Sequence, residues 1–145
     1  MRYDETETRV RFNEVDSWGM VWHGHYLAWF EMGRMALLSK FQLLPLDFSR
    51  MGYMAPVVDL KCAYKEPARM NEEILIRTTV VRPGKAALTF RFQILRKRDR
   101  KLLASGEETQ VLLTLDGKML YYIPQNLQEK LDPLLDYLEE PESGA

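Results

Sequence analysis

Residues 25–41 read HYLAWFEMGRMALLSKF. The stretch holds no proline and no run of β-branched residues, so its composition favours a helix. Leu27, Phe30, Leu37 and Leu38 keep helical spacing, while Trp29, Met32, Met35 and Ala36 fall on other faces. A helix apolar nearly all round is expected to be buried on most sides. Glu31 and Arg34, three residues apart, are placed to pair and so limit the cost of their charges. Gly33 costs about 1 kcal/mol against alanine in mid-helix, which points to a close approach of another backbone.

Outward from this helix the pattern is mostly strand. On the N-terminal side, residues 7–13 (ETRVRFN) alternate, with Val10 and Phe12 on one face and Arg9 and Arg11 on the other, as in a half-buried strand. Residues 14–24 show no period and carry a turn residue at Gly19, so they read as a loop. Beyond the helix, Pro45, Gly52 and Pro56 mark another loop. In 57–65, Val58, Leu60, Cys62 and Tyr64 alternate with polar or small neighbours until Glu66-Pro67. Strands over 73–81 and 87–96 flank the turn signal Pro83-Gly84-Lys85. Arg98-Asp99-Arg100 separates the second from a strand over 101–115, and Asp116-Gly117 reads as a hairpin turn. Leu127, Leu131, Leu134, Leu135 and Leu138 predict a C-terminal amphipathic helix, bent or interrupted at Pro133. The order predicts an α+β domain over 1–139, its antiparallel sheet curled around one long central helix. The tail 140–145 is expected to be disordered.

Composition narrows the function. The 145 residues can bury a core without staples. With 20 Lys and Arg against 21 Asp and Glu, the net charge of −1 lacks the cationic surplus of a general nucleic-acid binder. Cys62 is the only cysteine, which excludes an internal disulfide, suits a cytoplasmic setting and, in its alternating strand, reads as a buried small hydrophobe. No apolar run reaches the roughly 20 residues of a membrane span, and the polar, acidic start is not a secretory signal.

All three tryptophans (Trp18, Trp22, Trp29) and both histidines (His23, His25) fall within residues 18–29. The loop 12–26 runs into the N-terminus of the central helix, where unpaired N–H groups and the helix dipole stabilise an anion, including an oxyanion. Asp16 precedes Gly24 by eight residues, close enough to face those donors across a small gap. The ordinary role of an aspartate in a turn is an Asx-turn or cap; the alternative is a carboxylate opposite an oxyanion hole, an acyl-transfer arrangement. His23 and His25 form H-x-H, but the further ligands of a zinc site are missing, and no metal is expected. Trp29 reads as core, while Trp18 and Trp22 are candidates to wall an apolar pocket.

The string from Asp16 to Arg34 resembles the hotdog-fold acyl-CoA thioesterases of the 4-hydroxybenzoyl-CoA thioesterase and YbgC-like group. Their signature runs roughly D-x-x-G-x-V-x-[HY]-x-x-Y-x-x-[FW]-[FW]-E-x-x-R. Asp16, Gly19, Val21, His23, Tyr26, Trp29, Phe30, Glu31 and Arg34 meet it in register, and residues 64–69 (YKEPAR) match a downstream Y-x-x-P-A-R segment. The resemblance implies a hotdog fold and hydrolysis of an acyl-CoA to free acid and coenzyme A. Asp16 then matches the catalytic carboxylate, as general base or nucleophile, and the His23 N–H the oxyanion donor, with Gly19 and Gly24 shaping the loop. The His23 ring matches a histidine near the reacting centre, and Trp18, Trp22 and Tyr26 are candidate acyl-pocket residues. Coenzyme A is substrate, not cofactor, and Arg82 and Lys85 are candidates for its phosphates. The group implies a homodimer joined edge to edge, often paired into a tetramer. This sequence departs from it at Phe12, where tyrosine is frequent, at Ser17-Trp18, where a small residue or proline often follows the aspartate, and at His25, where asparagine is common. A carrier-protein thioesterase and a non-catalytic acyl-CoA-binding protein are the alternatives on the same fold.

Overall fold

A computed structural model describes residues 2–141. β1 (Asp4–Arg9) is followed by a 3-10 turn over Phe12–Glu14 and an irregular loop into α1 (His25–Ser39). Then come α2 (Pro45–Met51), β2 (Tyr53–Met54), β3 (Val57–Tyr64), β4 (Glu73–Val81), β5 (Ala87–Arg96), β6 (Lys101–Val111), β7 (Leu113–Thr114) and α3 (Gln125–Glu139). One antiparallel sheet has the order β1-β4-β5-β6-β3, and β2 pairs with β7 apart from it. This is the α+β hotdog arrangement: a sheet with α1 lying across one face.

Register explains how the sheet grips the helix. Ile76, Ile94 and Ala104 lie side by side across β4, β5 and β6, as do Thr78, Phe92 and Gly106. Phe30 of α1 stacks on Phe92, with ring centroids 4.6 Å apart, and covers Gly106, where any Cβ would strike its ring. Gly33 is pressed against Ile76 and Thr78, so the expected close approach is made by side chains of β4 and not by another backbone.

The buried face of α1 is Tyr26, Trp29, Phe30, Gly33, Arg34, Leu37 and Leu38. Leu27 and Met32 remain exposed. The expectation of burial on most sides therefore fails within one chain, because the sheet covers only one flank. Arg34 does pair with Glu31 at 2.8 Å, but its main partner is Glu108 of β6, and both of these residues are only 5% exposed.

Four other expectations are corrected. The first strand ends at Arg9, and Phe12 sits on the 3-10 turn with 80% of its surface exposed. The cause is Glu14, whose carboxylate accepts the Arg11 N–H at 2.6 Å and turns the chain. The loop after α1 contains α2, with Pro45 in its first turn, Asp47 accepting the Leu44 N–H at 2.9 Å, and Gly52 closing it at φ +98°. α3 is not interrupted at Pro133 but continues through it to Glu139. An interior proline costs about 3 kcal/mol, whereas buried Leu134, Leu135 and Leu138 beyond it contribute roughly 1.5–3 kcal/mol each. Cys62 is only half-buried, because β3 is an edge strand with nothing outside it.

The strand over 101–115 divides at Leu112, where β7 leaves the main sheet to join β2. Gly117, at φ +91°, closes the hairpin after it, and the Thr114 N–H donates to the Lys118 carbonyl at 2.8 Å. Of the expected disordered tail, residues 142–145 lie outside the described residues. Among the described residues no helix is long and apolar enough to cross a membrane.

Candidate active site

The loop between β1 and α1 folds around Asp16. Its N–H donates to the Met20 carbonyl at 2.7 Å, and its carbonyl accepts the Gly19 N–H at 3.0 Å. Its carboxylate oxygen Oδ1 accepts the N–H groups of Trp18 at 2.9 Å and Met20 at 3.3 Å. Gly19 completes the turn at φ +77°, a conformation that favours glycine. The ordinary Asx-turn role is thus realised, but it uses one oxygen. Oδ2 has no hydrogen bond among the described residues, which leaves it for a ligand or water.

The far side of the loop is tied to residues 66–69. The Val21 N–H donates to the Ala68 carbonyl at 2.9 Å, and Met20 bridges to Arg69. The Tyr26 hydroxyl accepts the Ala68 N–H at 3.1 Å. The Tyr64 hydroxyl donates to the His23 carbonyl at 2.7 Å, and the Tyr26 and Tyr64 rings meet edge to face at 5.1 Å. Between these strips lies an open cleft of about 310 Å³, with Asp16, Trp18 and His23 on one side and Tyr64, Lys65 and Pro67 on the other; buried Tyr26 forms its base. The N–H groups of His23 and Gly24 carry no hydrogen bond among the described residues. They precede the first turn of α1, where the helix dipole is positive.

Titration separates the groups around the cleft. Burial raises the Tyr26 hydroxyl above its ordinary value. Partial desolvation, reinforced by the neighbouring Cys62 thiol, pushes the half-exposed Tyr64 hydroxyl up to about 12. Both therefore hold their protons at neutral pH. Glu66 is taken up by Lys101 at 2.6 Å and Arg96 at 3.7 Å. Asp16 is left as the cleft carboxylate that no ion pair holds among the described residues, although Lys65 lines the same cleft.

The remaining candidates are scattered. Trp18 stands at the rim, 79% exposed. Trp22 lies outside the cleft lining; its ring covers Gly24, where a Cβ would collide with it, and tilts against His23 at 5.2 Å. Arg82 donates to Glu139 at 2.9 Å, which raises its already high pKa, and Lys85 is exposed in the β4–β5 turn. That turn is at the opposite end of the sheet: Ala87 pairs with Val111, whereas the cleft adjoins the Tyr64–Ala104 pair. Beside the cleft, Lys65 and Arg69 carry no ion pair among the described residues. The two histidines diverge. His23 faces Tyr64, with ring centroids 6.5 Å apart, while His25 pairs with Glu14 and sets its ring edge-on to Trp29 at 5.8 Å. No group of three His, Cys, Asp or Glu gathers among the described residues. Sequence reasoning passed over Glu14, because nothing in its spacing announces a partner eleven residues away.

Known proteins resemble this chain in sequence and in fold. Residues 10–131 match the thioesterase-like superfamily. The chain is 36% identical over 80 residues to YneP of Bacillus subtilis (strain 168), a candidate acyl-CoA thioesterase; the match covers 55% of this chain and 58% of that protein's length. A candidate esterase of Synechocystis sp. is 28% identical over 131 residues, covering 90% of this chain and 79% of its own. A 1,4-dihydroxy-2-naphthoyl-CoA thioesterase from Synechocystis shares the fold with a TM-score of 0.83 at 18% identity, covering 96% of this chain and 99% of its own. A DHNA-CoA thioesterase from Staphylococcus aureus superposes with a TM-score of 0.82 at 25% identity over 98% of both chains. With the match spanning most of its length, the chain belongs to the thioesterase-like superfamily.

Proposed function

We propose that this protein hydrolyses an acyl-CoA thioester to the free acid and coenzyme A. The observation that carries the reading is the Asp16 carboxylate, held by one oxygen and open at the other, in the same cleft as the unpaired His23 N–H. Asp16 Oδ2 takes a proton from water as the water oxygen attacks the thioester carbonyl carbon. The His23 N–H, with Gly24 beside it, receives the negative charge that develops on the carbonyl oxygen. The C–S bond then breaks and the thiolate leaves, gaining the proton that Asp16 took from water, which restores the carboxylate. Direct attack by Asp16 uses the same geometry through an anhydride that water opens.

The finer placement with 4-hydroxybenzoyl-CoA and YbgC-like enzymes rests on the nine motif positions from Asp16 to Arg34. An aromatic acyl group is the first to test, given the similarity to the Staphylococcus enzyme. Lys65 and Arg69, beside the cleft, are proposed to meet the phosphates of coenzyme A.

A second copy is part of the proposal. β3 is an edge strand that exposes Val57, Val58, Leu60 and Tyr64, and a bare apolar edge invites pairing. Antiparallel pairing of β3 with its copy forms a two-fold dimer. It brings the partner's β4–β5 turn, with its Arg82 and Lys85, to the same end of the joined sheet as the cleft. Pairing of dimers into a tetramer follows the family resemblance.

Thiol release from a panel of aromatic and aliphatic acyl-CoAs tests the activity, with wild type beside Asp16→Asn. Turnover by wild type and its loss in Asp16→Asn is expected. Full activity in the variant overturns the role of Asp16. Faster release from carrier-protein thioesters redirects the substrate, and binding without turnover shows a non-catalytic protein.

A further inference from the structure

Glu14 is 2% exposed and stands at the base of the loop that carries Asp16 and His23. It holds both arms of that loop. On the incoming arm its carboxylate accepts the Arg11 N–H at 2.6 Å and faces the Arg11 guanidinium at 3.4 Å. On the outgoing arm its backbone carbonyl accepts the Trp22 N–H at 2.9 Å, and its carboxylate meets His25 Nε2 at the first residue of α1. The His25 ring is steadied in turn against buried Trp29. Neighbouring Val15 and Val21 bridge across the same base.

We infer that the Glu14–His25 pair is the positioning element of this site: it sets the spacing between the Asp16 carboxylate and the His23 N–H. The inference rests on the thioesterase reading of that cleft. Asp16 lies two residues past Glu14, and His23 two residues before His25. Each partner therefore holds one half of the reacting geometry, and neither lines the cleft itself. A buried carboxyl group needs its polar partners in place, so the pair gives the loop one arrangement where an exposed turn would sample several. A displacement of about 1 Å at a reacting centre can lower the rate about 10²-fold.

The test is steady-state acyl-CoA hydrolysis by the full chain in four variants: Glu14→Ala, Glu14→Gln, His25→Ala and Asp16→Asn. His25→Ala and Glu14→Ala are expected to lower kcat about 10²-fold and to leave KM within about threefold, since contacts to bound substrate are untouched. Glu14→Gln keeps an acceptor for Arg11 and His25 and is expected to recover most of kcat. Combined with Asp16→Asn, His25→Ala is expected to cost nothing further, because residues that act as a unit are not additive. If Glu14→Ala does not fold, His25→Ala decides, its side chain being 25% exposed. Unchanged kcat in folded His25→Ala overturns the inference, as does a loss carried by KM alone. Asp16→Asn separates the two levels: inactive Asp16→Asn with fully active His25→Ala removes only the positioning role, whereas active Asp16→Asn removes the catalytic reading beneath it.

Discussion

The Tyr64 hydroxyl donates a 2.7 Å hydrogen bond to the backbone carbonyl of His23. It joins the last residue of β3 to the residue two before α1. A planar peptide points its C=O and N–H in opposite directions, so holding the His23 carbonyl also sets the direction of the Gly24 N–H. Tyr64→Phe removes this tie and is expected to cost about 1 kcal/mol, with a fall in kcat, read from urea denaturation and thiol release. The pH dependence carries a sign. The folded protein holds the Tyr64 proton up to about 12, against 10.0 for a free tyrosine. That contribution to stability is complete below pH 10 and lost as pH climbs toward 12. Tyr64→Phe is expected to flatten the alkaline slope of the urea midpoint in that window.

His23→Ala separates the ring from the backbone. The proposed oxyanion donor is the N–H of residue 23, which alanine retains. The variant is expected to keep kcat within about tenfold of wild type, whereas loss of a true oxyanion donor costs about 10²–10³-fold. A loss in that larger range, measured by thiol release, gives the imidazole the role.

Gly33→Ala tests the packing of α1. Helix propensity alone predicts a gain of about 1 kcal/mol. A Cβ at this position runs into Ile76 and Thr78 of β4, and overpacking costs about 1–3 kcal/mol. The second effect is expected to dominate, so the variant melts lower than wild type in calorimetry.

The Arg34–Glu108 pair joins α1 to β6 with both side chains 6% exposed. Removing Arg34 leaves the buried Glu108 charge uncompensated, so Arg34→Met alone is expected to cost about 3–5 kcal/mol; Glu108→Met is expected to cost less, because Glu31 still pairs with Arg34. The double variant is expected to recover much of that loss. A double-mutant cycle in urea measures the coupling, and simple additivity argues against a coupled pair.

Leu60→Asp probes the β3 edge, where Leu60 is exposed and faces the α1 side of the sheet. A charge there is expected to shift sedimentation from dimer to monomer and to reduce hydrolysis together with it. A monomeric wild type, or an unchanged assembly in the variant, rules out β3 as the contact.

Residues 73–81 and 87–96 form strands at the bounds expected from the sequence, because the Pro-Gly turn that separates them is a local signal. The start of α1 at His25 was legible for the same reason. Asp16 and His23 were named from the motif, and the structure places both on one cleft. Phe12 was misread because the carboxylate that ends β1 belongs to Glu14, outside the alternating pattern. α2 was missed although Pro45, Asp47 and Gly52 mark its ends, since a seven-residue helix has too few turns to show a period.

By itself, the sequence determined the class of the fold, most of its elements and the family motif on the loop before α1, all of which depend on neighbours within a few residues. Only the tertiary structure decided which flank of α1 is covered, that α3 survives Pro133, that Arg82 and Lys85 lie far from the cleft within one chain, and that buried Glu14 holds His25. Those outcomes depend on burial and on pairs of residues far apart in the chain, and such pairs leave no periodic trace in a single sequence.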